Sequence, residues 1–367
     1  MTKTSKKRSP LRAATPPRNT QAPQWHNGTL SFTGHLPSKP SVVCVIAARS
    51  RAALTERLEL VHEALNVSEV VEIAGPRDIT DLRSSRLHYL LDTNQATCLA
   101  GMRLAGRRVP FVVDTGDDPA CLARNNGMRT AALRGWVANW LLAKAVGVVY
   151  RGFFHGPVLR SHTRAPLALA PDTAPDALLD RRPSPALEPV VASFGSARMP
   201  SSGDRAYGWE VVDVVAATSD LKGVLVIRGA GIDALRARAR RLGVTRRLTI
   251  HTPQDLDSLV GILESASVVT SIQTDDLAGW VRTTGKLPLA LGMGKMVAAS
   301  AVGQAVRVLP ESFLLPPDDA IAATRIVALA RACIGDEAAQ TAKRLAEPFR
   351  RSTVAESLRR FMMGVSA

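Results

Sequence analysis

"TTGKLPLALGMGKMVAAS" (residues 283–300) holds one structural unit of a larger pattern. Residues 287–294 read as a short helix opening near Lys286, a glycine turn closes it, and "KMVAAS" (295–300) is a short apolar run of the kind a buried strand shows. A helix that feeds directly into a strand buried on both faces belongs to a parallel sheet, where crossovers are helical.

The same alternation extends outward in both directions. Upstream of 283, strands are expected at 189–196, 223–229, 247–252 and 267–273, with helices at 207–219, 232–244 and 256–266 between them. A second series occupies the first half, with strands at 41–48, 67–75, 86–92, 109–114 and 146–152 and helices at 51–66, 95–106 and 129–145. The Pro-rich stretch 165–189 separates the two series and reads as a linker. This predicts an α/β protein of two Rossmann-like domains facing each other across a cleft. The expected boundaries are a basic tail at 1–40, a first domain at 41–188, a second at 189–345 and a terminal helix at 346–367 that packs back towards the first domain.

Composition narrows the class. The chain has 367 residues, 46% of them hydrophobic, enough for more than one core. No run of roughly eighteen apolar residues and no secretory leader pattern occurs, which predicts a cytoplasmic protein. The formal charge is +15, and residues 1–40 carry seven Lys and Arg with no Asp or Glu. Such a tail suits an anionic surface, either the inner face of a membrane or nucleic acid, or else is a solvated leader. With aromatics at 4%, the stacking platforms of a single-stranded nucleic-acid binder are scarce. Cys44, Cys98, Cys121 and Cys333 are widely spaced and read as core residues, so neither a disulfide framework nor a structural metal is expected.

Familiar motifs are missing. No GxGxxG lies between a strand and a helix, "GMGKMV" has Met296 where a phosphate-binding loop needs a hydroxyl residue, and GxSxG does not occur. What remains is a cleft lined by the polar segments that follow strands: 114–118, 150–156, 195–205, 251–255 and 273–286.

From "PVVASFG" through "DALRARARRLGV" and "TIHTPQDLDSLVGILESASVV" to "TTGKLPLALGMGKMVAASAVGQA", the second half resembles the donor-binding domain of GT-B glycosyltransferases, above all the retaining family 4 group. "VVDTGDD" and "VYRGFFHGPVL" resemble the acceptor-side segments of such enzymes more loosely. The resemblance implies a hexosyltransferase-like enzyme using a UDP-, GDP- or dTDP-sugar as co-substrate, with no metal or other cofactor and with retention. The acceptor would be a sugar, a small molecule or a lipid-linked compound. It also implies that Gly195, Arg198 and Arg205 serve the diphosphate, and that Thr252 lies in a base-binding turn. The positions matching the group's two carboxylates are Val281 and Leu289, with Asp275 and Asp276 as neighbouring substitutes. The alternative suggested by those apolar residues is a GT-B-like binding protein that kept the fold and lost the carboxylates.

The residues themselves point the same way. A lysine at a helix start opposes the helix dipole, so a bound anion explains Lys286 better than solvent does, with Thr283, Thr284 and Arg282 beside it. Asp117 and Asp118 follow a buried strand and suit acceptor hydroxyls, although Asp118 serves equally as the cap of a helix opening at Pro119. His155 suits a sugar hydroxyl or a plain polar cap, and Arg151 an acceptor phosphate or carboxylate.

Overall fold

The strands form where β-branched runs are bounded by polar turns, and every pairing between them is parallel. The computed structural model describes residues 39–48, 51–74, 78, 82, 86–125, 128–197, 207–252 and 255–366. The first sheet contains β1 (Ser41–Ala47), β2 (Asn66–Ile73), β3 (His88–Leu91), β4 (Phe111–Thr115), β5 (Gly147–Tyr150) and β6 (Leu167–Leu169). Its spatial order is β2-β1-β3-β4-β5-β6. The second contains β7 (Val190–Ser196), β8 (Lys222–Arg228), β9 (Leu248–His251), β10 (Val268–Ser271), β11 (Met296–Ser300) and β12 (Leu314–Leu315), in the order β12-β11-β10-β7-β8-β9. Each sheet with its helices is called a lobe below.

The two orders differ in a way that bears on function. The second sheet reverses direction of growth between β7 and β10, as dinucleotide-binding sheets do, whereas the first reverses between β1 and β3, as flavodoxin-like sheets do. In both, the carboxyl ends of the strands beside the reversal mark where a ligand fits.

Each sheet separates two apolar layers. In the first lobe, Val43, Val45 and Phe111 pack with the helices Gln95–Gly106 and Ala131–Lys144, while Cys44, Ile46 and Tyr89 pack with Arg51–Ala64 and the terminal helix Arg351–Ser366. That terminal helix is tied there by Arg351 to Glu56 and Glu59, both at 2.6 Å, and by Arg359 donating to the Ala64 carbonyl at 3.2 Å. All four cysteines are buried and free.

The stretch expected to be a linker is built into the body. Leu167–Leu169 is the edge strand of the first sheet, and Asp176–Asp180 is a short helix. Lys295 Nζ donates to the carbonyls of Ser184 and Glu264, each at 2.6 Å, and Lys343 Nζ to those of Leu178, Leu179 and Arg181. Two lysines thus satisfy backbone carbonyls in this stretch and tie it, through Glu264, to the second lobe. No described helix is long and apolar enough to cross a bilayer.

Candidate functional site

β7 ends in Phe194-Gly195-Ser196, at the reversal of the second sheet. Gly195 has φ +117°, and a Cβ there would stand 3.2 Å from Lys286 Cε, so glycine is needed both for the turn and for the lysine that crosses it. Lys286 opens the helix Lys286–Gly292, with its backbone N–H donating to Thr284 Oγ1 at 3.3 Å. The side chain is half-buried, and its ammonium has no hydrogen bond or ion pair among the described residues. Burial lowers the Lys286 pKa, Glu210 opposes that shift and Arg282 adds to it. Glu210 is itself occupied, accepting from Thr270 Oγ1 at 2.7 Å and from the Gly208 N–H at 3.1 Å. In front of Gly285 a Cβ would meet nothing within 4 Å. The result is a half-buried cation, without a partner among the described residues, beside the glycine that closes β7 at the sheet reversal.

The first lobe treats charge differently. Asp114, at the end of β4, has no solvent exposure. It accepts from Arg57 Nε at 2.6 Å, Arg151 Nε at 2.8 Å and Tyr89 Oη at 2.7 Å. Burial pushes its carboxyl up, but Arg151 and Arg57 outweigh that and hold it below the usual range. Arg57 also donates to the carbonyls of Ala170 and Pro171. The second terminal nitrogens of both arginines, Arg57 Nη2 and Arg151 Nη2, are buried without a partner. Beside them Asp92, just after β3, has φ +70°, a left-handed conformation that aspartate tolerates better than most side chains.

The lobes meet at these strand ends. The Thr283 N–H donates to the Gly116 carbonyl at 3.3 Å, and Thr283 Oγ1 bonds to Asp172 at 2.7 Å and to Gln304 at 3.3 Å. Arg282 Nε lies 3.3 Å from Asp117 Oδ1. A Cβ on Gly152 would come within 2.1 Å of the Val281 carbonyl, so only glycine permits the approach. The rings of Phe154 and Trp280 pack edge to face with centroids 5.1 Å apart.

No protein-family model matches the chain, and no curated protein matches it in sequence. Solved structures do match. A sucrose-phosphate synthase from Thermosynechococcus elongatus superposes with a TM-score of 0.66 at 14% identity, over 89% of this chain and 99% of that one. HepE of Anabaena, in complex with UDP and glucose, gives 0.66 at 15% identity, over 89% and 100%. The fold is GT-B. The same fold also appears in a Listeria monocytogenes protein described as a UDP-N-acetylglucosamine 2-epimerase, with a TM-score of 0.55 at 12% identity over 90% and 98%. Shared GT-B architecture therefore does not by itself decide the chemistry.

The described residues singled out from the sequence occupy distinct environments. Gly195, Thr284 and Lys286 come together on the second lobe, with Arg282 at its border with the first. Thr283 lies in the lobe junction, its hydroxyl engaged by Asp172 and Gln304. Asp276 caps the helix Leu277–Val281, accepting from the Gly279 N–H at 2.9 Å and Thr274 Oγ1 at 3.0 Å. Thr252 follows β9 and is exposed. Arg198 and Arg205 lie outside the described residues.

In the first lobe, Asp118 caps the helix Pro119–Asn125 through the Cys121 N–H at 2.7 Å. Burial raises the Asp117 carboxyl above its usual range, with Arg282 opposing. His155 is 1% exposed, and burial drives its imidazole down to about 4. Its Nδ1 is buried without a partner. It lines a cavity of about 10 Å³ with Thr93, Thr115, Asp117 and Asp118, space for roughly one water, so a sugar hydroxyl reaches it only if that cavity opens. Arg151 donates to Asp114 through Nε, while its Nη2 is buried without a partner.

Sequence reading missed Asp114, Arg57, Asp172 and Gln304. A charged residue closing the apolar run "VPFVVD" was the one available sign of Asp114. Arg57 sits 57 positions away on a helix whose sequence marks nothing unusual. Val281 and Leu289 are 1% and 8% exposed, so the apolar residues at the carboxylate positions are core residues here.

Proposed function

We propose that this protein transfers a sugar from a nucleoside diphosphate sugar to an acceptor held by the first lobe. The observation that carries the reading is the unpaired Lys286 ammonium above Gly195, at the reversal of a sheet with dinucleotide-binding order. Departure of a nucleoside diphosphate concentrates negative charge on its outer phosphate. A positioned cation in a partly dry site stabilises that charge, usually the largest single contribution to such catalysis. Lys286 takes that role, with Arg282 adding positive charge once the phosphate draws it from Asp117. No metal is invoked, and retention of configuration follows from the family resemblance.

On the acceptor side, Arg151 Nη2 suits a phosphate or carboxylate on the acceptor, and Asp117 a hydroxyl. HepE, bound to UDP and glucose in its own structure, supports a nucleotide-sugar partner for this fold. A second reading, a nucleotide-sugar-binding protein without transfer, is favoured by the buried Val281 and Leu289 in place of carboxylates.

Thermal unfolding with UDP, GDP and dTDP tests the binding step, because ligand at a hundred times its dissociation constant stabilises by about 2.7 kcal/mol. One of the three raises the transition temperature of the wild type and not of Lys286→Ala. If none does, the donor-site reading fails. Release of free nucleoside diphosphate from the matching sugar donor then separates transferase from binding protein.

A further inference from the structure

The helix Ala131–Lys144 is apolar on both sides. Ala131, Ala138, Leu141 and Leu142 are buried beneath it, yet its outer side presents Leu133 at 60% exposure and Trp136 at 62%. Val137 and Trp140, spaced three and four positions along the same stripe, are half-buried. The helix Gln95–Gly106 packs alongside and presents Leu99 and Met102. Six of the eleven exposed large hydrophobics among the described residues fall between positions 99 and 146. Single exposed apolar residues are ordinary, but such a concentration marks a surface that meets something.

Charge indicates what it meets. Residues 93–171 carry ten Lys and Arg against three Asp, an excess of seven, while everything after residue 40 has an excess of eight. No Asp or Glu occurs between 119 and 171. Arg129 and Lys144, near either end of the outer stripe, are exposed, as are Arg107 and Arg108 just past the neighbouring helix. Tryptophan and leucine on the outer side of a helix, framed by exposed cations and with no Asp or Glu on that helix or its neighbour Gln95–Gly106, match the interface of a bilayer containing anionic lipid.

We propose that this face of the first lobe docks on an anionic membrane surface. The proposal does not depend on sugar transfer. The face nonetheless adjoins the first-lobe residues of the candidate site. Gly135 lets the helix approach Pro119–Asn125 so closely that a Cβ there would be 2.5 Å from Ala120 Cβ, and Asn139 and Leu142 reach the small cavity beneath Asp117. Docking would bring the cleft's first-lobe wall to the lipid headgroups.

Flotation of the full chain with phosphatidylcholine vesicles, with and without phosphatidylglycerol, tests this. The wild type floats with the anionic vesicles only, less so in high salt, and Trp fluorescence shifts to the blue on binding. Leu133→Ser with Trp136→Ser weakens flotation by roughly tenfold or more, and so does Arg129→Glu with Lys144→Glu. All four side chains are exposed, so circular dichroism should match the wild type. Lys6→Gln, Lys7→Gln and Arg8→Gln in the tail leave flotation largely intact. The proposal is overturned if the full chain does not float, or if the tail variant loses flotation while both helix variants keep it. It is also overturned if Leu133→Ser with Trp136→Ser converts a dimer to a monomer without changing flotation.

Discussion

At the end of β4 a carboxylate with no solvent exposure is shared by two guanidinium groups and a phenol, whereas at the end of β7 an ammonium crosses a glycine with no partner among the described residues. Both positions close an apolar strand of a parallel sheet and both border the cleft. The first arrangement is nearly self-sufficient. Its cations are held by Asp114 and oriented, with one nitrogen on each left over. The second is incomplete, since burial disfavours the Lys286 charge and Glu210, which opposes that shift, is hydrogen-bonded to Thr270 and the Gly208 N–H and not to the ammonium. A charge matched within the lobe shapes a wall, and on the proposed reading the unmatched ammonium is where the donor's phosphate sits.

The strongest way to break this comparison is Asp114→Ala. It leaves Arg57 and Arg151 buried and uncompensated, and loss of one member of such a cluster costs about 3–5 kcal/mol, read from urea unfolding. A loss below ~1 kcal/mol would show that the first-lobe cluster is not structural. Next is the pH response of His155. Its folded pKa of about 4 lies below the ordinary 6.5, so the unfolded chain binds the extra proton between those values. The stability that His155 contributes is present above pH 6.5 and falls by up to about 1.4 kcal/mol per pH unit on the way to 4. Unfolding measured at several pH values should show that decline diminished in His155→Gln.

Lys286→Ala sharpens the contrast from the other side. Folding stability changes by less than about 0.5 kcal/mol, while nucleoside diphosphate affinity by calorimetry drops by about 1.5–3 kcal/mol, the worth of a hydrogen bond to a charged group. Equal affinity in the variant would remove Lys286 from the site. The smallest effect belongs to the Arg282–Asp117 pair, about 40% and 27% exposed at 3.3 Å. A double-mutant cycle with Arg282→Ala and Asp117→Ala should give a coupling of roughly 0.5–1 kcal/mol in stability, vanishing when nucleotide is bound.

Much of the fold was open to reading because strands buried on both faces appear as apolar runs, and these runs and the helical stretches between them are local patterns. The stretch 165–189 misled for the same reason. A three-residue edge strand, Leu167–Leu169, is too short to show a period, and the lysines that pin its continuation, Lys295 and Lys343, are remote from it in sequence. Lys286 stood out because a cation at a helix start conflicts with a local rule. Asp114 did not, since a carboxylate ending a strand looks like any turn residue until its partners are known. His155 was legible as a residue type, while its burial was not.

By itself the sequence determined the alternation of strand and helix, the division into two series, and the misplaced cation at the head of the helix Lys286–Gly292. Only the tertiary structure decided that Arg57 and Arg151 meet on Asp114, that Thr283 joins the lobes instead of facing open space, and that Leu133 and Trp136 lie outside any core. Periodicity and capping act over a few neighbouring residues and leave a trace in each segment. Which strand ends meet, and which charges are thereby compensated, depends on contacts between residues tens to hundreds of positions apart.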